Sequence, residues 1–429
     1  MSDKPLHVLI SGAGVAGASL ALMLARHPDF KTRPIVTLIE RSPQPRTTGQ
    51  SIDIRGPAVD VIRKLGWEQE IKNRHTTETG LRLLNGSGKT IAYFPATGDS
   101  KVQSATSEYE ILRGELTEML LDGVDASKQE GAQVNVVYGE TIHSMDDTPD
   151  GVNVHFARGK LEDQKFDVVV AADGISSSTR AHIFGPEDKR EHVRPSGMYL
   201  AFFSIPRIAS DDQSWCWATL PPGLAVHRRP HRNGKTVGVY LSICHRARER
   251  DPDLEALVHA DVGTQKRYLR QVFEKSECTW EIKRFLDGMD ASEDFYMTHW
   301  CQVVTPRWAK GRCVILGDAA FATMGIGTSL AMIGAYCIAG ELSRINDGKE
   351  VEGALTRYEE VFRPYVGKHI FMPRLFPQLA NPQTAWGNWV KHAIIAVLAF
   401  LRVHKLFTLV AGWFGTDDSK GWKLPDYGW

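Results

Sequence analysis

The sequence predicts an α/β protein: a Rossmann-like nucleotide-binding domain, an inserted β-sheet domain and a C-terminal helix. Three observations predict it. The apolar run Leu6–Ile10 leads into the glycine pattern Gly12-x-Gly14-x-x-Gly17. Two later apolar runs, Val168–Ala171 and Val314–Leu316, end near Asp173-Gly174 and Gly317-Asp318. Between them, residues 196–295 are aromatic and proline-bearing, with strand-like segments.

Each element follows from its residues. Gly12 permits the turn out of the first strand, Gly14 lets the backbone approach a pyrophosphate, and Gly17 lets helix and strand pack closely. The helix over Val15–Arg26 aims its free N–H groups and positive dipole end at the phosphates. The next strand, Ile35–Ile39, ends in Glu40, where an acid can accept from both ribose hydroxyls. Gln50–Gly56 reads as strand and turn, and Ala58–Leu65 as a helix stopped by Gly66. Residues 80–96 read as a hairpin turning at Gly86-Ser87-Gly88. Arg113 opens a helical pattern carried by Leu116, Met119 and Leu120. Val134–Tyr138, Val152–Phe156 and Phe166–Ala171 read as strands, as do Gly197–Ser204, Trp215–Leu220 and Thr236–Ile243. Gly325-Ile326-Gly327 then opens a helix over Thr328–Ile345. The expected division is a nucleotide-binding domain from 1–75, 105–190 and 296–365, with a hairpin at 76–104 and a sheet domain at 191–295 completing the substrate side. Residues 366–429 form a C-terminal helical region.

Lys+Arg and Asp+Glu balance at 51 each, so no net field draws in nucleic acid. The six cysteines show no CxxC and no metal-ligand spacing, which argues against a disulfide reductase or zinc enzyme and predicts no metal site. Met1–Pro5 is short and polar, and a reduced cytoplasmic enzyme is expected. In Trp386–Gly415 the longest uncharged apolar run, Ala393–Leu401, is nine residues, against the roughly 20 a spanning helix needs. On a helix Lys391, Arg402 and Lys405 share one sector, together with Ile395 and Leu398. The expectation is a helix packed across the domain, with peripheral membrane or partner contact as the alternative.

Strand ends at the carboxyl edge of a parallel sheet are where doubly wound folds bind ligands. A carboxylate there can hold the ribityl hydroxyls of a flavin, and the helix opened by Gly327 can stabilise negative charge on its ring. With these motifs in order, residues 6–365 resemble the class A flavoprotein monooxygenases, of the para-hydroxybenzoate hydroxylase and tetracycline-inactivating type. The resemblance rests on Gly12-x-Gly14-x-x-Gly17, Glu40-Arg41, Gly49-x-x-Ile52-Asp53-Ile54, Leu112-Arg113, Asp173-Gly174-x-x-Ser177-x-x-Arg180 and Gly311-Arg312-x-x-x-x-Gly317-Asp318-Ala319-Ala320. It implies FAD, with Glu40 on the adenosine ribose, Arg113 near the phosphate and ribityl chain, and Asp318 on the ribityl hydroxyls. It also implies Asp53 as an FAD contact, Arg46 as an NADPH contact, and Asp173, Gly174 and Arg180 as serving both nucleotides. Arg41, Gly317, Gly325, Gly327, Thr328 and Ser329 complete the expected cofactor set.

The function so implied uses NAD(P)H and O2 to hydroxylate or epoxidise an electron-rich aromatic or polyketide-like small molecule, as in secondary metabolism. A single GxGxxG argues against enzymes with two dinucleotide domains. The flavin carries the hard chemistry, so no catalytic side chain is assigned. His227, His299 and His392 are expected to be structural. Tyr199, Trp217 and Tyr240 are expected in the core or along a substrate cavity. The alternatives are a halogenase, echoed by Trp215-Cys216-Trp217 without the Ile-Pro that should follow, an oxygen-independent prenyl-chain reductase, and a non-enzymatic lipid chaperone. One departure stands out. After Ala320 the family continues with His and proline, whereas Phe321–Met324 leads straight to Gly325. The shorter loop predicts a more open flavin face, closed by substrate or by the C-terminal helix.

Overall fold

The computed structural model describes residues 4–45, 49–76, 78–96, 109–185, 192–246, 249–370, 375–401 and 422–429. The chain enters on β1 (His7–Ser11), α1 (Val15–Arg26) and β2 (Ile35–Glu40), then β3 (Ser51–Asp53), α2 (Ala58–Lys64) and α3 (Glu68–Asn73). A hairpin of β4 (Gly80–Leu84) and β5 (Thr90–Pro95) precedes β6 (Glu110–Leu112), which runs straight into α4 (Arg113–Gln129). Next come β7 (Val134–Tyr138), β8 (Ile142–Thr148), β9 (Gly151–Phe156), β10 (Gln164–Phe166), β11 (Val168–Ala171) and α5 (Ser178–Phe184). Four long strands follow: β12 (Val193–Pro206), β13 (Ser214–Leu220), β14 (Leu224–Pro230) and β15 (Thr236–Cys244). Helices α6 (Pro252–Val258), α7 (Val262–Glu274) and α8 (Ile282–Ala291) lead to β16 (Tyr296–Val303). The chain returns through β17 (Ala309–Lys310), β18 (Cys313–Ile315), α9 (Asp318–Phe321), α10 (Gly327–Ser343), α11 (Val351–His369), α12 (Phe376–Ala380) and α13 (Ala385–Phe400).

The nucleotide-binding sheet runs β17-β18-β11-β1-β2-β7. Its strands are parallel except for the β17–β18 pair. β1 pairs on either side with β2 and β11, so the carboxyl ends of three strands from distant parts of the chain meet above Ser11. α1 and α10 are buried nearly all round, as expected for helices enclosed by other elements, and they pack on each other. The alternation in β10–β11 breaks at Asp167, whose carboxylate accepts from the His7 N–H at 2.8 Å.

The second large sheet runs β16-β12-β15-β14-β13-β4-β5. Its strands alternate faces. Tyr199, Ala201, Phe203 and Ile205 of β12 meet Leu269, Phe273, Phe285 and Met289 of α7 and α8 in one core. These helices interrupt the region read from the sequence as sheet alone. Asp251 and Asp261 cap α6 and α7 by accepting backbone N–H groups, and Pro252 stands in the first turn of α6. The last described residues pack into the core of the first sheet. Tyr427 is buried against Gly340 of α10, where an added Cβ would stand 2.2 Å from its ring, and its hydroxyl donates to Glu341 at 2.8 Å.

Candidate functional site

The glycine turn meets three separate demands. Gly12 has φ 108°, and a Cβ there would lie 2.5 Å from the Ala172 carbonyl oxygen of the neighbouring strand end. A Cβ on Gly17 would lie 1.9 Å from the Gly12 carbonyl oxygen, so α1 can approach the turn only without a side chain. Gly14 precedes the first turn of α1, has no side-chain cap, and faces open space. The first N–H groups of α1 are therefore available to an anion. At the end of β2, Glu40 accepts from Ala13 N at 3.0 Å and from Ser42 N at 2.9 Å, one bond to each oxygen. Each oxygen keeps acceptor capacity for a hydroxyl. Arg41 is exposed on the following bend, and Arg46 lies outside the described residues.

At the end of β11, Asp173 accepts from the Ser177 hydroxyl, from Thr179 N at 3.0 Å and from the Thr179 hydroxyl at 2.9 Å. This carboxylate holds its own turn and the start of α5. Gly174, at φ 85°, leaves open space beside it. Arg180 is fully buried, donating to the Ala319 carbonyl at 2.8 Å and to the Ile175 carbonyl at 3.1 Å. Its guanidinium thereby brackets the Asp173-Gly174 turn to the first turn of α9.

Gly317 (φ 63°) sits where a Cβ would press on Ala16 of α1 at 2.7 Å. Asp318 follows, and burial pushes its carboxyl above the usual range against the pull of the Arg113 guanidinium. Arg113 opens α4, with its N–H donating to Gln50 O at 3.0 Å. A Cβ on Gly327 would stand 3.4 Å from the Asp318 carboxylate, and Gly325 (φ 84°) faces open space. Thr328 is half-buried in the first turn of α10. Ser329 is buried and accepts from Arg55 N at 2.8 Å, tying α10 to β3. Asp53 accepts from Arg55 Nη2 at 2.9 Å through Oδ2, while Oδ1 is buried with no partner among the described residues.

These groups fit a long dinucleotide. Open glycine positions and a helix N-terminus suit a pyrophosphate, and Glu40 suits a ribose. Asp318, Arg113 and the unpartnered Asp53 oxygen suit a hydroxylated chain further along. FAD has these parts in this order. In the stretch Phe321–Met324, Phe321 packs on Trp308 and Phe362, while Thr323 and Met324 are half-buried. Helix α13 lies over β13 and β5 of the second sheet.

That sheet reaches the site through the β3–β6 ribbon. The Tyr240 hydroxyl accepts from Ser51 N at 3.2 Å, and the Tyr296 hydroxyl donates to Gln50 Oε1. Arg229 of β14 donates to Glu78 at 2.6 and 2.8 Å and also to Glu110 of β6. All three are buried, and burial pushes the Glu110 carboxyl well up. Sequence reading missed this cluster. Its partners stand 151 and 119 residues apart, with no local pattern to connect them.

The FAD binding domain family matches residues 5–370. The chain is 32% identical to the monooxygenase CTB7 of Cercospora beticola, over 100% of this chain and 99% of that one. It is 31% identical to the flavin-dependent monooxygenase eupH of a Phoma species, over 98% of each. Among solved structures, the tetracycline destructase Tet(55) superposes with a TM-score of 0.73 at 26% identity, over the whole of both chains. A salicylate hydroxylase substrate complex, 20% identical with a TM-score of 0.65 over 95% and 96% of the two chains, shares the fold. The chain belongs to the FAD binding domain family and is a flavin-dependent monooxygenase of class A.

Proposed function

We propose that the enzyme uses NAD(P)H and O2 to hydroxylate or epoxidise an electron-rich aromatic or polyketide-like small molecule of secondary metabolism. The observation that carries this reading is the set of open glycine turns at two strand ends, at Gly14 and Gly174, joined through β3 to an aromatic-rich sheet face. FAD, when bound, supplies the redox and oxygen-activating chemistry. The chain's own residues bind, orient and exclude water. Glu40 takes the adenosine ribose, Arg113 the phosphate region, and Asp318 and Asp53 the ribityl side. Gly12, Gly14 and Gly17 admit the pyrophosphate, with Arg41 beside it. Gly317, Gly325, Gly327, Thr328 and Ser329 shape the flavin end. Asp173, Gly174 and Arg180 hold the two loops together beneath it, and Arg46 retains the NAD(P)H contact that the resemblance implies.

The test is substrate-stimulated NADPH oxidation by the yellow holoenzyme across a panel of phenols and polyketide aromatics. A product heavier by one oxygen atom is expected. Chloride incorporation, turnover without oxygen, or a colourless protein would favour the halogenase, reductase or chaperone alternatives in turn. A second reading adds peripheral membrane contact. No described helix is long and apolar enough to cross a membrane, yet α13 turns Trp386, Trp389, Ile394, Val397 and Phe400 outward, Phe400 being 86% exposed. Co-sedimentation with anionic vesicles, lost on Trp386→Ser with Phe400→Ser, is the expected outcome of that reading.

A further inference from the structure

On the face of the second sheet opposite α7 and α8, one ring from each of five adjacent strands forms a row. The ring centroids of Trp217 and His227 are 5.0 Å apart, of His227 and Tyr240 6.0 Å, of Tyr240 and Phe202 4.8 Å, and of Phe202 and Tyr296 4.9 Å. Five strands at their usual spacing make this platform roughly 20 Å long. A single ring would meet one or two members of the row, whereas a fused polycycle spans several. Tyr240 at its middle and Tyr296 at its end touch Ser51 and Gln50, on or beside the strand that carries Asp53.

The hydrogen-bond accounting at the other end is one-sided. An indole N–H only donates. Trp215 Nε1 donates to His227 Nδ1 at 3.1 Å, so that nitrogen carries no proton and the neutral imidazole holds its proton at Nε2. Burial pushes the His227 value down to about 3, which keeps the ring neutral at physiological pH. Trp217 Nε1 is buried and has no acceptor among the described residues. A buried donor left unmade is costly, and here it stands beside a second N–H donor, at the end of the row where Lys391 Nζ of α13 lies 5.7 Å from the centroid of the Trp217 ring.

We propose that Trp217 and His227 are specificity-determining residues that read a hydrogen-bond acceptor, a ring carbonyl or phenolate oxygen, on a planar polycyclic substrate laid along this row. The proposal rests on the monooxygenase reading for its substrate and deepens it. Trp215 is a positioning residue, acting through the tautomer of His227. A substrate edge offering only donors would leave both N–H groups unmatched, so discrimination against it follows from the same geometry.

The experiment titrates the holoenzyme, without NADPH, with anthraquinone sulfonate and anthracene sulfonate, which differ only in the ring carbonyls. Wild type is expected to bind the anthraquinone about tenfold tighter, the size of one well-made hydrogen bond. Trp217→Phe and His227→Phe should each remove most of that preference and leave anthracene sulfonate binding unchanged. Equal weakening of both probes, a preference that survives both variants, or failure of wild type to bind either probe overturns the proposal. Trp215→Phe leaves the Trp217 indole and the His227 ring in place and guards against a variant that misfolds. It is expected to shift the His227 ring-nitrogen resonances towards a tautomer mixture and to cut the preference partly; unaltered resonances overturn its positioning role. FAD content and NADPH oxidation are read on the same wild-type sample. A flavin-loaded sample that never oxidises NADPH overturns the monooxygenase reading alone, because the preference is measured without turnover.

Discussion

A methyl group at Gly17 would stand 1.9 Å from the Gly12 carbonyl oxygen, whereas at Gly14 it would meet nothing within 4 Å. One motif therefore contains a folding glycine and a binding glycine. Gly17→Ala is expected to lower the melting temperature of the apoprotein. Gly14→Ala should leave that temperature unchanged and weaken FAD binding, because the space it fills is the pyrophosphate's. A common loss of stability in both variants would erase the distinction. Asp318 makes a related trade. Its folded pKa is raised by burial, so its contribution to stability is present below the ordinary carboxylate range and lost as pH rises through the folded value. At neutral pH Asp318→Asn should raise the apoprotein's melting temperature while weakening FAD, since a charged acceptor is worth about 1.5–3 kcal/mol. Asp318 was legible in the sequence because a strand ran into it. The burial that sets its protonation was not, since it depends on Arg113 and α10 arriving from elsewhere.

At the scale of elements, α13 is held to the sheet largely through one residue. The Thr219 hydroxyl donates to Asn388 Oδ1 at 2.9 Å and accepts from Lys391 Nζ at 2.6 Å, with His392 Nε2 at 3.2 Å. The Thr219 carbonyl takes Asn388 Nδ2 at 3.0 Å. Thr219→Val should loosen the helix, seen as faster proteolysis between residues 375 and 401 with FAD content unchanged. Burial lowers Lys391 to about 7, so the folded state sheds this proton before the unfolded chain does. Docking of α13 should therefore strengthen as pH rises from about 7 towards the ordinary lysine value. His227 and His392, held to about 3 and about 4, stay neutral throughout. A proteolysis rate that is flat with pH would refute this. The sequence placed Lys391 in one helical sector with Arg402 and Lys405, which lie outside the described residues, but not that Lys391 faces the sheet. The same limit hid α6–α8. The caps at Asp251 and Asp261 were readable, but only Gln265, Leu269 and Phe273 of α7 are buried, a thin stripe among aromatic strands.

Over the whole molecule, the doubly wound sheet was readable because its strands are short, apolar and end in glycine and acid. How the second sheet docks was not, because Arg229, Glu78 and Glu110 meet across more than a hundred residues. The last described stretch belongs to the same class of long-range contact. Trp422 packs on Phe362 and Tyr365, Arg344 donates to the Asp426 carbonyl at 2.6 Å, and Trp429 meets His27 and Tyr336. Tyr427→Ala should cost about 3–5 kcal/mol by leaving a cavity beneath Gly340, measured by denaturant unfolding; a loss under about 1 kcal/mol would mean that α10 collapses onto the gap.

Tyr427 also bears on how the chain folds as it is made. The sheet that begins at His7 shares its core with a ring that leaves the ribosome some four hundred residues later. Until then α10 carries an open slot along Gly340, and the growing chain exposes apolar surface that other nascent chains can stick to. Slower translation or a lower growth temperature, which give that last segment time to seat, should raise the soluble yield more than stronger induction does.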